Sequence, residues 1–222
     1  MVLGVTGALF CNFITPANAA TFSNTYEYTH VPQLQVVDQT NNQMLSEIET
    51  NSVDIKGLDA IPLNYNFNIQ QSVEYQILDL MNQKRVELGL EPLKMDQQAT
   101  DLARYKSNDM AQRQYFSHDY ANGKNVRGLE DTIGVSYNAL NENIAMCYSP
   151  SMACMYNNVR YSDISLDIPE NKTLAANRIF DGWQNSGLHN ANMMDADSKY
   201  VGIGVIYNKD TKTYYATQDF FS

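Results

Sequence analysis

VGIGVIYNKDTKTYYATQDFFS, residues 201 to 222, is the stretch that decides how the rest of the chain is read. Apolar and polar side chains alternate over residues 201–207 and again over 213–221, and the turn-forming residues 208–212 lie between them. That is the pattern of two strands joined as a hairpin. Gly202 and Gly204 are two positions apart, so they share one face of the first strand. The missing side chains there admit the backbone of another element, and a packed helix is the simplest occupant.

Helical periodicity lies upstream. Val73, Ile77, Leu80, Met81 and Leu88 recur at helical spacing behind Ser72, a candidate N-cap, and Gly89 and Pro92 stop the run. Asp96 caps a second helix with Ala99, Leu102, Ala103, Lys106 and Met110 on one stripe, and the chain leaves it through Tyr115, Phe116, Ser117 and His118. A short helical piece is expected over 125–134 and a short strand over 144–147. Ala175, Ile179 and Trp183 mark a further helix over 172–186, which Gly187 is expected to end. Helices first and a hairpin last is an α+β layout.

The 222 residues carry 44% hydrophobic side chains, enough for one good core, with no room for a second domain of similar size. Fifteen basic against 25 acidic residues leave a net charge of -10, which repels phosphate backbones and anionic lipid surfaces. Nucleic acid is therefore not an expected partner. Residues 1–19 hold an uncharged apolar run followed by Ala17-Asn18-Ala19, a small-x-small pattern that reads as a cleavable signal peptide, although the usual basic start is absent. The run is too short to span a bilayer, so no transmembrane segment is expected in the mature chain, and the expected location is secreted or cell envelope. Residues 20–71, rich in Asn, Gln, Thr and Tyr and interrupted by Pro32 and Pro62, read as a poorly ordered tail or linker with one short helix near 44–49. Residues 72–222 form the expected domain.

Five short motifs follow one another in order: YFSH at 115–118, NENI at 141–144, W-x-x-S-x-x-H-x-x-N from Trp183 to Asn192, GIGV at 202–205 and TQDF at 217–220. Together they resemble the bacterial CAP domains, also called SCP or PR-1-like, of the cysteine-rich secretory protein superfamily. The likeness runs from residue 72 to the end. It implies a three-layer α-β-α sandwich with a small antiparallel sheet, and a cleft lined by two histidines and one or two glutamates. The matching positions are His118, Glu142 and His189, and in some members of the family the histidines, here His118 and His189, hold a divalent metal such as zinc. Departures are visible: Asn141 stands where the family carries Gly, Gly187-Leu188-His189-Asn190 where bacterial members have Pro-Gly-His-Arg, and Tyr215 where eukaryotic members place a histidine. With these changes the sequence resembles the bacterial variant, with a reduced site that can be metal-free.

Two imidazoles and a carboxylate suit Zn²⁺ with one coordination position left for water, and the same trio can work without metal, Glu142 orienting an imidazole. Each of the three also has a plain structural reading: His118 capping its helix, Glu142 bonding loop amides, His189 bracing its loop. His30 reads as solvated, Tyr115, Phe116 and Trp183 as core or cleft wall, and the remaining acidic residues as surface. Cys147 and Cys154 are six residues apart, and in an exported chain such a pair forms a disulfide or stays as two buried thiols. Three functions stay open: an extracellular binding module for a lipid, glycan or protein partner, a metal-assisted hydrolase or protease, and a structural or adhesive envelope protein.

Overall fold

The computed structural model describes residues 50–53, 55, 58–59, 61–64, 67–127, 140–148, 155–156, 159–160 and 169–222. The expected signal peptide, the 44–49 helix, His30, nearly all of the 125–134 piece and Cys154 lie outside them. Among the described residues, eight strands and four helices follow in order: β1 (Thr50–Val53), β2 (Ile61–Asn64), α1 (Phe67–Glu87), β3 (Lys94–Met95), α2 (Gln97–Arg113), β4 (Leu140–Tyr148), β5 (Met155–Tyr156), β6 (Val159–Arg160), α3 (Pro169–Gln184), α4 (Gly187–Met193), β7 (Tyr200–Asn208) and β8 (Thr213–Phe221). The central sheet has the order β3-β7-β8-β4, with β3 parallel to β7 and the other pairs antiparallel.

The hairpin of β7 and β8 is the middle of a three-layer sandwich, as the alternation demands. Val201, Ile203, Val205, Tyr214, Ala216 and Phe220 point to one side, where Val73, Ile77 and Met81 of α1 and Ala175, Ile179 and Trp183 of α3 meet them in one core. On the other side lies α2. Asp96 caps it by accepting from the Ala99 amide at 2.9 Å, and Gln114 ends it in the left-handed conformation. A Cβ at Gly202 would overlap the backbone of Ala99 and Thr100, and one at Gly204 the backbone of Ala103 and Arg104. The two glycines are thus the seat of α2, as their spacing suggests.

Three features differ from the sequence reading. First, α1 begins at Phe67 and not at Ser72, whose hydroxyl instead accepts from Gln76 inside the helix at 3.2 Å. The extra turn carries Gln70, which is needed at the sheet edge. Secondly, β1 and β2 pair within the stretch expected to be a tail, and Ile55 and Ile61 join Ala99, Leu102 and Tyr105 in a second core cluster outside α2. Tyr105 donates to the Asp59 carbonyl at 2.7 Å and Asn108 to that of Pro62 at 2.9 Å. This covering explains why α2 is buried on almost every side, where one stripe had been expected. Thirdly, Gly187 does not end α3. It opens α4 behind Ser186, which holds the extended backbone of an N-cap, so His189 sits on a helix and not on a loop.

Beyond Val201 the outer edge of β7 has no neighbouring strand among the described residues. Side chains of α1 serve it instead: Gln70 donates to the Val205 carbonyl at 2.8 Å and the Val205 amide donates to Glu74 Oε1 at 3.0 Å. Arg104 reaches round from α2 and meets the same carboxylate, Nη2 to Oε2 at 2.6 Å and Nε to both oxygens at 3.2 Å. Glu74 and Arg104 are both buried, which corrects the expectation that acidic residues outside the site lie on the surface.

Two stability predictions follow from this packing. Gly204→Val is expected to force α2 off the sheet and to cost about 3 kcal/mol, the upper part of the overpacking range, in urea unfolding. Arg104→Met takes the guanidinium away from the buried Glu74 carboxylate and is expected to cost about 3–5 kcal/mol, whereas the double change Glu74→Gln with Arg104→Met recovers part of the loss. Wild-type midpoints in either single variant would contradict the packing described.

Candidate functional site

Two anchors on α2 set the loop that follows it. Asp109 accepts from the Tyr115 hydroxyl and from the Ala121 amide at 3.2 Å, and it pairs with Arg113 at 3.2 Å. Lys106, fully buried, donates from Nζ to the Asp119 carbonyl at 2.8 Å and lies over the rings of Tyr120 and Tyr115, 4.4 and 5.2 Å from their centroids. The chain between Tyr115 and Ala121 is thereby tied to one helical turn. His118 stands at its crest.

Glu142 comes from β4, an edge strand of the sheet, between Leu140 and Ile144, which pack on the α2 side. His118 Nδ1 lies 2.6 Å from Glu142 Oε1. The two side chains are unlike in environment, 59% exposed for His118 and 5% for Glu142. A buried carboxylate thus holds an imidazole that faces water, leaving Nε2 for other partners.

His189 approaches from the opposite layer. Asn143, the neighbour of Glu142 on β4, points to that layer and donates from Nδ2 to the His189 carbonyl at 3.0 Å and to Gln218 Oε1 at 3.2 Å, while Asn192 donates to Asn143 Oδ1 at 2.8 Å. The amides of the NENI, H-x-x-N and TQDF motifs therefore form one network that fastens α4 to the sheet. The His189 ring is half-buried and its Nδ1 has no hydrogen-bond partner among the described residues. Burial, and then the charge of His118, push its pKa below the ordinary 6.5.

A cavity of about 300 Å³ opens beside the pair, lined by His118, Glu142, Asn141, Asn192 and Arg127 and by the apolar Val126 and Leu140. His189 does not line it. The donor types suit zinc, but among the described residues no three His, Cys, Asp or Glu side chains converge as a metal site would need. The arrangement does not fit a metal held by three protein ligands. Cys147 is buried on β4 in the main core, on the face opposite Glu142.

Two buried residues beside the site escaped the sequence reading. Asp219 stands directly across from Glu142 on β8, and burial together with the Glu142 charge raises its pKa well above the usual carboxylate range. Lys106 was read as part of an apolar stripe; burial depresses its pKa against the raising effect of Glu142, Asp109, Asp219 and Asp119. Strand alternation already puts Asp219 on the face of the two glycines, but only the register of β4 against β8 sets it beside Glu142.

The deciding comparison is with a family model of the cysteine-rich secretory protein (CAP) family, which matches residues 78–220. The chain belongs to that family. This CAP domain is similar to a solved extracellular protein of Bacillus anthracis containing an SCP domain, with 29% identity and a TM-score of 0.50, covering 69% of this chain and 41% of that one. It shares its fold with an outer surface protein of Borrelia burgdorferi, at 16% identity and a TM-score of 0.52, over 68% of this chain and 93% of the other. Among curated proteins it is similar to the uncharacterized membrane protein YlbC of Bacillus subtilis, 32% identical over 155 residues, and to the uncharacterized protein YkwD of the same organism, 26% identical over 133. The chain covers 35% of YlbC's length and 42% of YkwD's. No helix among the described residues is long and apolar enough to cross a membrane.

Because the His189 pKa is lowered on folding, the folded chain binds fewer protons there than the unfolded one. The stability it contributes is complete above about pH 6.5 and is lost as pH falls from there through the folded value. Proton NMR is expected to give a His189 midpoint below about 6.5, and His189→Gln is expected to lose less stability than wild type between about pH 7 and 5. A midpoint at or above the ordinary value would contradict the burial. Calorimetric titration of Zn²⁺ is expected to show no micromolar site; a stoichiometric one abolished by both His118→Ala and His189→Ala would restore the three-ligand reading.

Proposed function

We propose that this CAP domain acts outside the cell as a binding module and that the cavity beside His118 and Glu142 receives a polar group of a glycan or peptide ligand. The observation that carries the reading is the 2.6 Å contact between an exposed imidazole and a buried carboxylate at the mouth of a cavity. A carboxylate fixed in place holds the ring in one orientation, so that Nε2 is presented to a ligand without the entropy loss of ordering it on binding. The lining favours polar partners over an acyl chain: amides from Asn125, Asn141 and Asn192, the Arg127 guanidinium, and only Val126 and Leu140 as apolar surface. Similarity to an extracellular protein and the signal-like residues 1–19 support export, with a mature chain that begins near Ala20.

The same contact favours a second reading, hydrolysis with His118 as general base and Glu142 as its orienting partner. Against it, no Ser, Thr, Cys or Lys is found among the described residues that line the cavity. A water molecule would have to serve as nucleophile.

NMR titration with short N-acetylated oligosaccharides and with a peptide panel tests the first reading. Binding is expected to shift resonances of Asn141, Glu142 and Asn192, and His118→Ala is expected to weaken it about 10- to 100-fold, the worth of one charge-assisted hydrogen bond. Binding that leaves these residues unmoved would place the ligand elsewhere, and turnover of the bound ligand would favour hydrolysis.

A further inference from the structure

We propose that the strap formed by the described residues between Thr50 and Asn64 and the loop that carries His118 open and close as one unit, so that the strap decides whether the cavity beside Glu142 is formed. Its consequence for ligand binding rests on the function proposed above; the coupling itself does not. The strap ends before residues 78–220, which the family model matches, so it is an addition to the common domain. It lies across the outer side of α2, and three sets of contacts lead from it to the site.

The first set is aromatic. Tyr105 of α2 donates its hydroxyl to the Asp59 carbonyl of the strap at 2.7 Å, and its ring meets that of Tyr120 edge-on, with 5.8 Å between centroids. Tyr120 follows His118 closely on the loop. The second set is apolar: Ile55 and Ile61 share one buried cluster with Tyr120 and with Val126 and Leu140, the apolar residues that line the cavity. The third is a polar relay. Asp59 Oδ2 lies 2.8 Å from Arg113, Arg113 lies 3.2 Å from Asp109, and Asp109 accepts from the Tyr115 hydroxyl and the Ala121 amide at the two ends of the loop.

The strap is the weaker side of this assembly. Its two four-residue strands pair only with each other among the described residues, and its ion pair with Arg113 is exposed at Asp59, where such a pair contributes little. Segments held in this way open at a free energy well below that of global unfolding. Tyr120 makes the loop follow. Its ring is buried, yet its hydroxyl has no hydrogen-bond partner among the described residues, so it is kept inside by packing and by the Lys106 ammonium 4.4 Å from its centroid, against the cost of a buried unpaired donor. Lifting Ile55 and Ile61 removes part of that packing, and the hydroxyl reaches water by swinging out. Val126 and Leu140 lose the same cover, and with it the cavity loses its apolar wall.

Amide hydrogen exchange of the intact chain, followed by NMR without ligand, tests this at three amides: Leu58, bonded to the Ile55 carbonyl within the strap, Ala121, bonded to Asp109 in the loop, and Val205, bonded to Glu74 at the far edge of the sheet. Tyr105→Phe removes only the hydroxyl that ties the strap, and Ile61→Ala thins the apolar cover. Each is expected to speed exchange at Leu58 and Ala121 together, by about 3- to 10-fold for the lost hydrogen bond, and to leave Val205 unchanged. Faster exchange at Leu58 with Ala121 unchanged overturns the coupling. Equal acceleration at all three amides makes the strap a contributor to global stability alone and overturns it as well, as does a Leu58 amide that neither variant accelerates. Tyr105→Phe decides the matter if Ile61→Ala does not fold. A failed oligosaccharide or peptide titration leaves this result standing, and failure here leaves the titration standing.

Discussion

The ion pair of Glu74 and Arg104 is the constraint from which the rest of the structure is built. A four-stranded sheet with helices on both faces has two edges, and an edge leaves backbone groups that water or another group must satisfy. At β7 the described residues solve this with α1, which lends Gln70 and Glu74 to Val205, and with α2, whose Arg104 closes on the same carboxylate. Carboxylate, guanidinium and strand amide satisfy one another in a region nearly free of solvent. Such pairs add little net stability over an apolar replacement, but removing one partner is expensive. Here the pair ties α2 to α1 and to the free edge of β7, beside the two glycines on which α2 is seated.

Everything at the opposite edge follows from the placing of α2. Lys106 and Asp109, one turn apart near its end, hold the loop that carries His118. The loop brings His118 to β4 from one layer, and the amides of Asn143, Asn192 and Gln218 bring α4 and His189 to β4 from the other. The cleft is therefore a product of the sandwich: β4 supplies Glu142 on one face and Asn143 on the other, and each layer adds a histidine. Only one of the two reaches the carboxylate. The site is an imidazole and carboxylate pair beside a polar cavity, with a buried second carboxyl group behind it.

Much of the fold was legible because it rests on local chemistry. Alternation gave the hairpin, the glycine pair gave the helix packed on it, Asp96 gave the start of α2, and Trp183 is buried in the core. Position in the resembling motifs named His118, Glu142 and His189, and of these His118 and Glu142 proved to be in contact. What escaped depends on long-range register and on what covers a helix. Lys106 lies on an apolar stripe by spacing, and nothing local says that aromatic rings and a carbonyl will enclose it. Asp219 resembles any strand carboxylate until β4 is laid beside β8. Gly187 looked like a helix stop because glycine favours the left-handed turn there, yet it does not adopt a positive φ. The β1–β2 hairpin left no periodic signal, since its four-residue strands are too short to show one.

The central claim is that Glu142 holds His118 in one orientation at the mouth of the cavity, and ¹⁵N NMR of histidine-labelled protein tests it most directly. Neutral imidazole in water prefers its proton on Nε2; a carboxylate on Nδ1 reverses that preference. At a pH where His118 is neutral, the account predicts the proton on Nδ1 in wild type and a return toward the Nε2 form in Glu142→Gln. A His118 ring with the same tautomer balance in wild type and Glu142→Gln would contradict it.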